Sequence, residues 1–199
     1  MSIVFFIQSS TIELKNYTIK DIPGSSGRLD VISRAILAAL MGENGIEKNV
    51  EIWVFLDNYG TYVFNSNNLN EETFPKNEIL LSDFFAKIIL SSKDLSFLDN
   101  NPLRMIKHIE LRIIDALESY LDDNYQIFLL NEEGEDFYNI FTNLDKESNL
   151  LFIIGNQTGE MINSEELKHI NFKIISLGKQ SYLASSVIRL VKLNLRLLL

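Results

Sequence analysis

The hydrophobic pattern of the chain contains short runs of β-branched and aliphatic residues, separated by longer amphipathic stretches. Runs of this length are typical of buried strands, whose side chains are covered on both faces of a sheet. They predict strands at residues 3–7, 50–56, 61–64, 126–130, 150–154 and 172–177.

Amphipathic helices are predicted between these strands, where apolar residues recur near the helical period of about 3.6 positions. The first follows a Pro-Gly turn at residues 23–24, has candidate serine caps at 25–26, and extends over residues 29–41. The second and third are predicted from apolar stripes within residues 81–89 and 106–121. This alternation favours an α/β fold with a largely parallel sheet flanked by helices.

The last segment, residues 187–199, is apolar around most of its helical circumference. It leaves one narrow polar stripe, formed by Arg189, Lys192 and Arg196. A helix with so much apolar surface is typically buried from two sides. The sheet supplies one cover, and a second copy of the chain is the simplest source of the other. The pattern therefore predicts a homodimer.

Length and composition limit the class of protein. The chain has 199 residues, of which 46% are hydrophobic and 23% charged, and this favours a single domain over residues 1–199. No cysteine is present, which excludes disulfides, cysteine nucleophiles and thiolate metal sites. The two histidines, His108 and His169, are not spaced as a ligand pair, so no metal is expected.

The amino terminus and the net charge limit location and partners. The first apolar run ends after five residues, too short for a signal sequence or a membrane span, so we expect a cytoplasmic protein without membrane contact. The formal net charge of -9 opposes a general nucleic-acid coat protein, because phosphate contacts need concentrated lysine and arginine. RNA binding would therefore require a local basic patch.

Three segments narrow the function. Two apolar runs, within residues 152–159 and 174–178, stop abruptly at a glycine. Buried strands that end in this way deliver the chain into loops at the edge of a sheet, where ligands of open α/β sheets bind. The third segment is the string Pro-Gly-Ser-Ser-Gly-Arg-Leu-Asp at residues 23–30.

These segments, together with Ile-Phe-Leu-Leu-Asn-Glu-Glu-Gly-Glu-Asp at residues 127–136, resemble the TrmY family of SPOUT methyltransferases. The similarity spans nearly the whole chain, and residues 23–30 are its most specific part. Members of that family methylate N1 of pseudouridine 54 in archaeal tRNA with S-adenosylmethionine. The resemblance implies a SPOUT (alpha/beta knot) fold with a C-terminal trefoil knot, and a homodimer with active sites at the subunit boundary.

The resemblance also implies which residues contact S-adenosylmethionine. By position these are Leu130, Gly155, Gly159, Leu177, Gly178 and Leu183, together with the rest of the segment from residue 178 to 184. Without the resemblance, core packing explains the leucines, and a plain strand-to-helix turn explains the loop glycines equally well.

Arg28 and Asp30 are the candidates for substrate contact and catalysis. Arginine suits bidentate contact with an RNA phosphate, and a nearby carboxylate can orient a ring N–H or accept its proton. The alternative is that both residues solvate the start of a helix, where the helix dipole favours aspartate. The resemblance favours a functional role for Arg28 and leaves both alternatives open for Asp30.

Arg104, Lys107 and Arg112, together with His108, align with a basic segment of the family. They form the candidate RNA-binding patch that the acidic composition requires. The alternative is a solvated face of the helix predicted over residues 106–121.

Departures from the family pattern leave two functions open. Asn156 and Gln157 replace an acidic residue and a histidine, and residues 183–187 replace a His-Ala-Asn/Asp-His-Cys string, so no general base is identified. The leading hypothesis is an S-adenosylmethionine-dependent methyltransferase acting on pseudouridine in tRNA, since positioning alone accelerates methyl transfer. The alternative is a catalytically degenerate homodimer that binds RNA or a protein partner.

Overall fold

A sheet with helices on both faces organises the computed structural model of the chain, which describes residues 1–91, 100–142, 144–145, 147–155 and 170–198. The strands are β1 Ile3–Ser9, β2 Met41–Gly42, β3 Gly45–Ile46, β4 Val50–Leu56, β5 Gly60–Asn65, β6 Lys107–Ile109, β7 Gln126–Asp136, β8 Leu150–Ile154 and β9 Lys173–Ser176. The helices are α1 Ile22–Ser25, α2 Leu29–Leu40, α3 Glu78–Leu90, α4 Ile113–Asp122, α5 Phe137–Phe141 and α6 Ala184–Leu198.

Within the described residues, seven strands form the main sheet in the order β6-β5-β4-β1-β8-β7-β9. The pairs β1 with β4, β1 with β8, β7 with β8 and β7 with β9 are parallel, whereas β5 runs antiparallel to β4 and β6. The predicted α/β class and largely parallel sheet are therefore confirmed. Strands β2 and β3 form a separate small hairpin.

The two faces of the sheet carry separate parts of the core. Phe5 and Ile7 of β1 point to the face covered by α2, α3 and α6, whereas Val4 and Phe6 point to the face covered by α4. This is the period-two alternation of a strand buried on both sides. No helix within the described part of the chain has both the length and the apolar character needed to cross a bilayer.

The helix predicted over residues 106–121 is wrong in its first half. Residues Lys107–Ile109 form the edge strand β6, in which Ile109 pairs with Thr61 of β5, and α4 begins only at Ile113. Thr61 also donates a side-chain hydrogen bond of 2.7 Å to the carbonyl oxygen of Leu111. The open edge of β5 satisfies the backbone of this segment, so tertiary pairing overrides the helical spacing of its isoleucines.

Lys192 does not belong to a solvent-facing stripe of α6, as its spacing with Arg189 and Arg196 suggested. Its side chain is only 8% exposed, and Nζ donates to the carbonyl oxygens of Ala38 (3.0 Å), Ala39 (2.7 Å) and Met41 (2.9 Å). These carbonyls lie at the C-terminal end of α2, where helix carbonyls lack partners within the helix.

Glu47 completes this buried site, with its carboxylate 3.0 Å from Lys192 Nζ. Burial lowers the pKa of the Lys192 ammonium, and the contact with Glu47 opposes that shift. The aliphatic stem of Lys192 shares the buried face of α6 with Ile188, Val191 and Leu195. The lysine therefore joins the end of α2 to the middle of α6.

We expect Lys192→Ala to lower the free energy of unfolding by about 3 kcal/mol, because it removes one partner of a buried charged pair. Urea titration followed by circular dichroism measures this change. Arg189→Ala is the control, since Arg189 is exposed on the same helix, and it should change the free energy by less than about 0.5 kcal/mol. Equal urea midpoints for the two variants would contradict a structural role for Lys192.

Candidate active site

A cavity of about 720 Å³ opens where β1 and β8 end and β7 meets β9. Ser9 ends β1, Ile154 ends β8, Leu130 lies in β7, and Leu177 follows β9. Helices α2 and α6 cover the cavity through their first turns. Ligands of open α/β sheets bind at this edge, beyond the carboxyl ends of parallel strands.

Six of the sequence-predicted site residues line this one cavity. They are Arg28, Leu130, Gly155, Leu177, Gly178 and Leu183. They come from four separate parts of the chain, which the fold brings together. Gly159 lies outside the described residues, and the roles of the lining residues stay predictions.

Within β7, residues 131–134 form an irregular bulged loop at which the pairing of β7 with β9 is interrupted, and this loop forms part of the cavity wall. Leu130, before the loop, and Glu135, after it, both pair with Ile175. A Cβ on Gly134 would lie 2.5 Å from the carbonyl carbon of Ile175, so only glycine permits this close approach.

Ser176 ties this loop to the segment that follows β9. Its Oγ lies 3.2 Å from the carbonyl oxygen of Glu132 and accepts a hydrogen bond of 3.0 Å from Gly178 N–H. Gly178 has a φ of 120°, which side-chain-bearing residues rarely adopt. The family-resembling string at residues 127–136 thus forms part of one wall of the cavity.

The turn before α2 brings Arg28 to the opposite part of the cavity. Gly27 and Arg28 both have left-handed backbones, with φ of 61° and 75°. A Cβ on Gly27 would lie 1.8 Å from the carbonyl oxygen of Thr11, just beyond β1. The predicted serine cap is wrong, because Arg28 is the N-cap of α2 and makes no side-chain cap bond. Ser26 lies two residues earlier and is buried, and its Oγ accepts a hydrogen bond of 3.0 Å from Leu29 N–H.

Asp30 holds the guanidinium of Arg28 through two hydrogen bonds. Arg28 Nε lies 3.0 Å from Oδ1, and Arg28 Nη2 lies 3.0 Å from Oδ2. The Arg28 side chain is 57% exposed, whereas that of Asp30 is 5% exposed and does not line the cavity. This geometry leaves other guanidinium N–H groups of Arg28 available to a ligand.

Arg34 extends this ion pair to α3. Its Nη2 lies 2.7 Å from Asp30 Oδ2, and its Nε lies 3.1 Å from Glu78 at the start of α3. Burial raises the pKa of Asp30, but the hydrogen bonds and charges of Arg28 and Arg34 outweigh burial and hold it below its ordinary value. Asp30 is therefore a carboxylate that positions Arg28.

The candidate RNA-binding residues lie apart from one another. Arg104 is in a turn, Lys107 is in β6, and Arg112 precedes α4 and pairs with Asp115 at 2.9 Å. Because Ile109 pairs with Thr61, β6 ends at the same sheet edge as the cavity, but α4 covers the opposite face from α2. These residues do not line the cavity.

Several cavity residues were missed at the sequence level. They are Gln8, Ser9, Thr11, Asn131 and Glu132. Glu132 stands two residues after the end of a buried apolar run, which was the available signal. Tyr182, which also lines the cavity, lies in the segment 178–184 that the resemblance assigned to cofactor contact.

Comparison with known proteins identifies the family of the chain. A family model described as "Putative SAM-dependent RNA methyltransferase" matches residues 1–197 of the chain. The chain belongs to this family. S-adenosylmethionine is therefore the cofactor of this methyltransferase.

The relatives of this methyltransferase support the TrmY resemblance. It is 25% identical over 203 residues to the tRNA (pseudouridine(54)-N(1))-methyltransferase of Pyrococcus abyssi, covering 96% of each chain. It is 24% identical over 204 residues to the Thermococcus onnurineus protein of the same name, covering 96% of this chain and 95% of the relative. The predicted family resemblance is thereby confirmed.

A solved structure shares the fold. Archaeoglobus fulgidus Nep1 bound to S-adenosylhomocysteine superposes with a TM-score of 0.65 at 17% identity, covering 100% of this chain and 99% of that chain. The match shows that the methyltransferase shares the fold of that protein along its whole length.

The cavity residues fit S-adenosylmethionine. The cavity volume of about 720 Å³ lies in the range of cofactor sites. The cavity walls combine apolar side chains with backbone at Gly155 and Gly178. Glycine allows the backbone to approach an adenine or ribose closely, and the leucines supply an apolar surface.

We expect Asp30→Asn to destabilise the methyltransferase by about 2 kcal/mol at pH 7, because two charge-assisted hydrogen-bond partners lose the carboxylate. The folded-state pKa of Asp30 is lowered, so its contribution is present above the ordinary aspartate pKa and is lost as the pH falls through the folded value. The difference between parent and variant should therefore narrow below about pH 4. Urea titration at a series of pH values measures it.

Asp57→Asn is the matched control, since Asp57 is exposed just beyond β4 and accepts a hydrogen bond from Gln8. If the free energies of unfolding of the parent and Asp30→Asn differ by a constant amount down to acid pH, that result contradicts the assigned ion pairs.

Proposed function

We propose that this protein is an S-adenosylmethionine-dependent tRNA (pseudouridine-N1)-methyltransferase that acts at position 54. The observation that carries the proposal is one cavity lined by Arg28 and by the glycine-terminated strand ends. The names of the relatives, at 24 to 25% identity over nearly the whole chain, supply the target nucleotide.

The residues of the chain have separate roles in this reaction. When bound, S-adenosylmethionine supplies an activated methyl group on a sulfonium. Leu130, Leu177 and Leu183 form the apolar wall, and Gly155 and Gly178 present backbone to the cofactor. Arg28 binds an RNA phosphate or holds the target base, and Asp30 positions it. Catalysis by orientation is consistent with a cavity that has few titratable groups.

Arg104, Lys107 and Arg112 extend the RNA surface outside the cavity in this proposal. Arg112 follows the end of β6, at the sheet edge where the cavity opens, whereas Lys107 begins β6 and Arg104 precedes it. The proposed knot would involve the segment between β8 and α6, whose residues 156–169 lie outside the described residues. A single domain over residues 1–199 and a cytoplasmic location are the remaining parts of the proposal.

The function is tested with two tRNA substrates that differ only at position 54, one with pseudouridine and one with uridine. We expect transfer of a labelled methyl group to the pseudouridine tRNA alone, with N1-methylpseudouridine identified by mass spectrometry. Binding of S-adenosylmethionine without methyl transfer to either tRNA would favour the degenerate RNA- or partner-binding alternative.

Arg28→Ala should lower methyl transfer by about tenfold to a hundredfold, because a charge-assisted hydrogen bond contributes about 1.5 to 3 kcal/mol. Its affinity for S-adenosylmethionine, measured by calorimetry, should change less than about twofold because the cofactor wall is formed by other segments. Arg189→Ala, on the exposed face of α6, is the control for loss of a surface charge. Parental methyl transfer by folded Arg28→Ala would remove Arg28 from the site.

We also propose a homodimer formed through the edge of the molecule that contains β9. Large apolar side chains are exposed there on α5, on β9, in the following loop and on α6; they are Tyr138, Ile174, Tyr182, Leu183, Leu193 and Leu197. Tyr138 donates a hydrogen bond of 2.8 Å to Asn194, which joins α5 to α6 within this surface. Several large exposed apolar side chains near one edge of a molecule are typical of an interface.

Leu193→Glu combined with Leu197→Glu should convert the dimer to a monomer, because these side chains are 52% and 69% exposed in the isolated chain. Light scattering at low micromolar concentration measures the mass. The matched control combines Ile79→Glu with Leu80→Glu, at two exposed positions of α3, and should leave the dimer intact. A parent protein that is monomeric under these conditions would contradict the proposed dimer.

A further inference from the structure

The cavity has two charged side chains among its described lining residues, and they differ in their surroundings. Arg28 is held by Asp30, as described above. Glu132 is exposed at the cavity wall and has no ion-pair partner within the described residues. An exposed glutamate that lines a ligand cavity and has no protein cation as a partner is available to a positively charged group of the ligand.

Arg28 and Glu132 belong to different sides of the cavity. The turn at Gly27 rests against Thr11, just beyond β1, whereas the Glu132 loop adjoins β9 through Ile175 and Ser176. Glu132 itself belongs to β7, which lies two strand spacings from β1, or about 10 Å. Glu132 therefore lies on the wall of Leu130, Leu177 and Gly178, away from the arginine.

The wall on which Glu132 lies is the one assigned above to the cofactor, and the charge of that ligand changes during the reaction. S-adenosylmethionine carries a sulfonium, an ammonium and a carboxylate, for a net charge of plus one. In the transfer, the nitrogen lone pair forms the new N–C bond and the C–S bonding pair returns to sulfur. The product S-adenosylhomocysteine is a neutral thioether overall, and the N1 proton leaves to solvent or to a base.

We propose that the Glu132 carboxylate pairs with the positive charge of the bound methyl donor and thereby favours S-adenosylmethionine over S-adenosylhomocysteine. This inference rests on the proposed function, because it requires the cofactor to occupy this cavity. Attraction between a carboxylate and a cation a few ångströms away is strong where solvent is partly excluded, and it acts on the donor more than on the neutral product.

The backbone of the loop makes this role specific to Glu132. The Gly134 contact with Ile175 and the Ser176 contact with the Glu132 carbonyl fix the loop against β9. Neighbouring Glu133 is also exposed, and its N–H donates to Asn131 Oδ1 at 2.8 Å, but its side chain does not line the cavity. Two adjacent carboxylates on one loop thus differ in whether they face the cavity.

The test compares calorimetric dissociation constants for both ligands in the parent, Glu132→Gln and Glu133→Gln. Glu132→Gln should bind S-adenosylmethionine about tenfold more weakly, equivalent to about 1.4 kcal/mol, and should bind S-adenosylhomocysteine within about twofold of the parent. Glu133→Gln should leave both constants unchanged. In the parent, the preference for the donor should weaken as salt rises, and in Glu132→Gln it should not.

Other outcomes would overturn the proposal. Equal weakening of both ligands in Glu132→Gln would mean that the residue only shapes the loop. Unchanged affinities with slower methyl transfer and a displaced pH–rate profile would make Glu132 a proton acceptor instead. If the parent protein binds neither ligand, it is the proposed function that fails, and that result is distinct from a failure confined to Glu132→Gln.

Discussion

The buried ammonium of Lys192 sets the arrangement of the two helices that frame the cavity. It supplies donors to carbonyls at the end of α2 that no residue of the helix itself can reach. Arg28 immediately precedes the first residue of α2. Ala184 is the first residue of α6 and lies about 12 Å from Lys192 along the axis of α6. The contact therefore joins two helices whose amino-terminal ends carry cavity residues. A hydrophobic residue would fill the space but leave the carbonyls without donors.

The cavity divides its chemistry between backbone geometry and a few charges. Glycines at positions 27, 134 and 178 allow turns or contacts that a side chain would obstruct or strain. The buried Asp30 carboxylate forms ion pairs with Arg28 and Arg34, so its negative charge is paired inside the protein. A protein with a net charge of -9 can present a local cation in this way, because the nearest carboxylate is buried beneath the arginine and does not face the cavity.

Sequence patterns predicted the central strands well because these strands are buried on both faces. The runs at residues 50–56 and 150–154 match β4 and β8 at both ends. Sequence patterns were insufficient where partners that are distant in the sequence determine the structure of a segment. The backbone of β6 pairs with β5, about 45 residues earlier in the chain, and Lys192 meets carbonyls about 150 residues earlier. Nothing local to Asp30 distinguishes a helix-start aspartate from one bound by two arginines. The glycine loops and the arginine could be predicted as one site only through the family resemblance.

The central position of β1 also governs the order in which the fold can be completed. Ile3 pairs with Val50 on one side and with Leu150 on the other, so the first strand made by the ribosome gains its second neighbour only after most of the chain exists. Contacts of such large sequence separation are slow to form because a long loop must close first. Until then one edge of β1, with its row of apolar side chains, stays unpaired on the nascent chain. The main sheet therefore closes around β1 only after residues 150–154 have been synthesised.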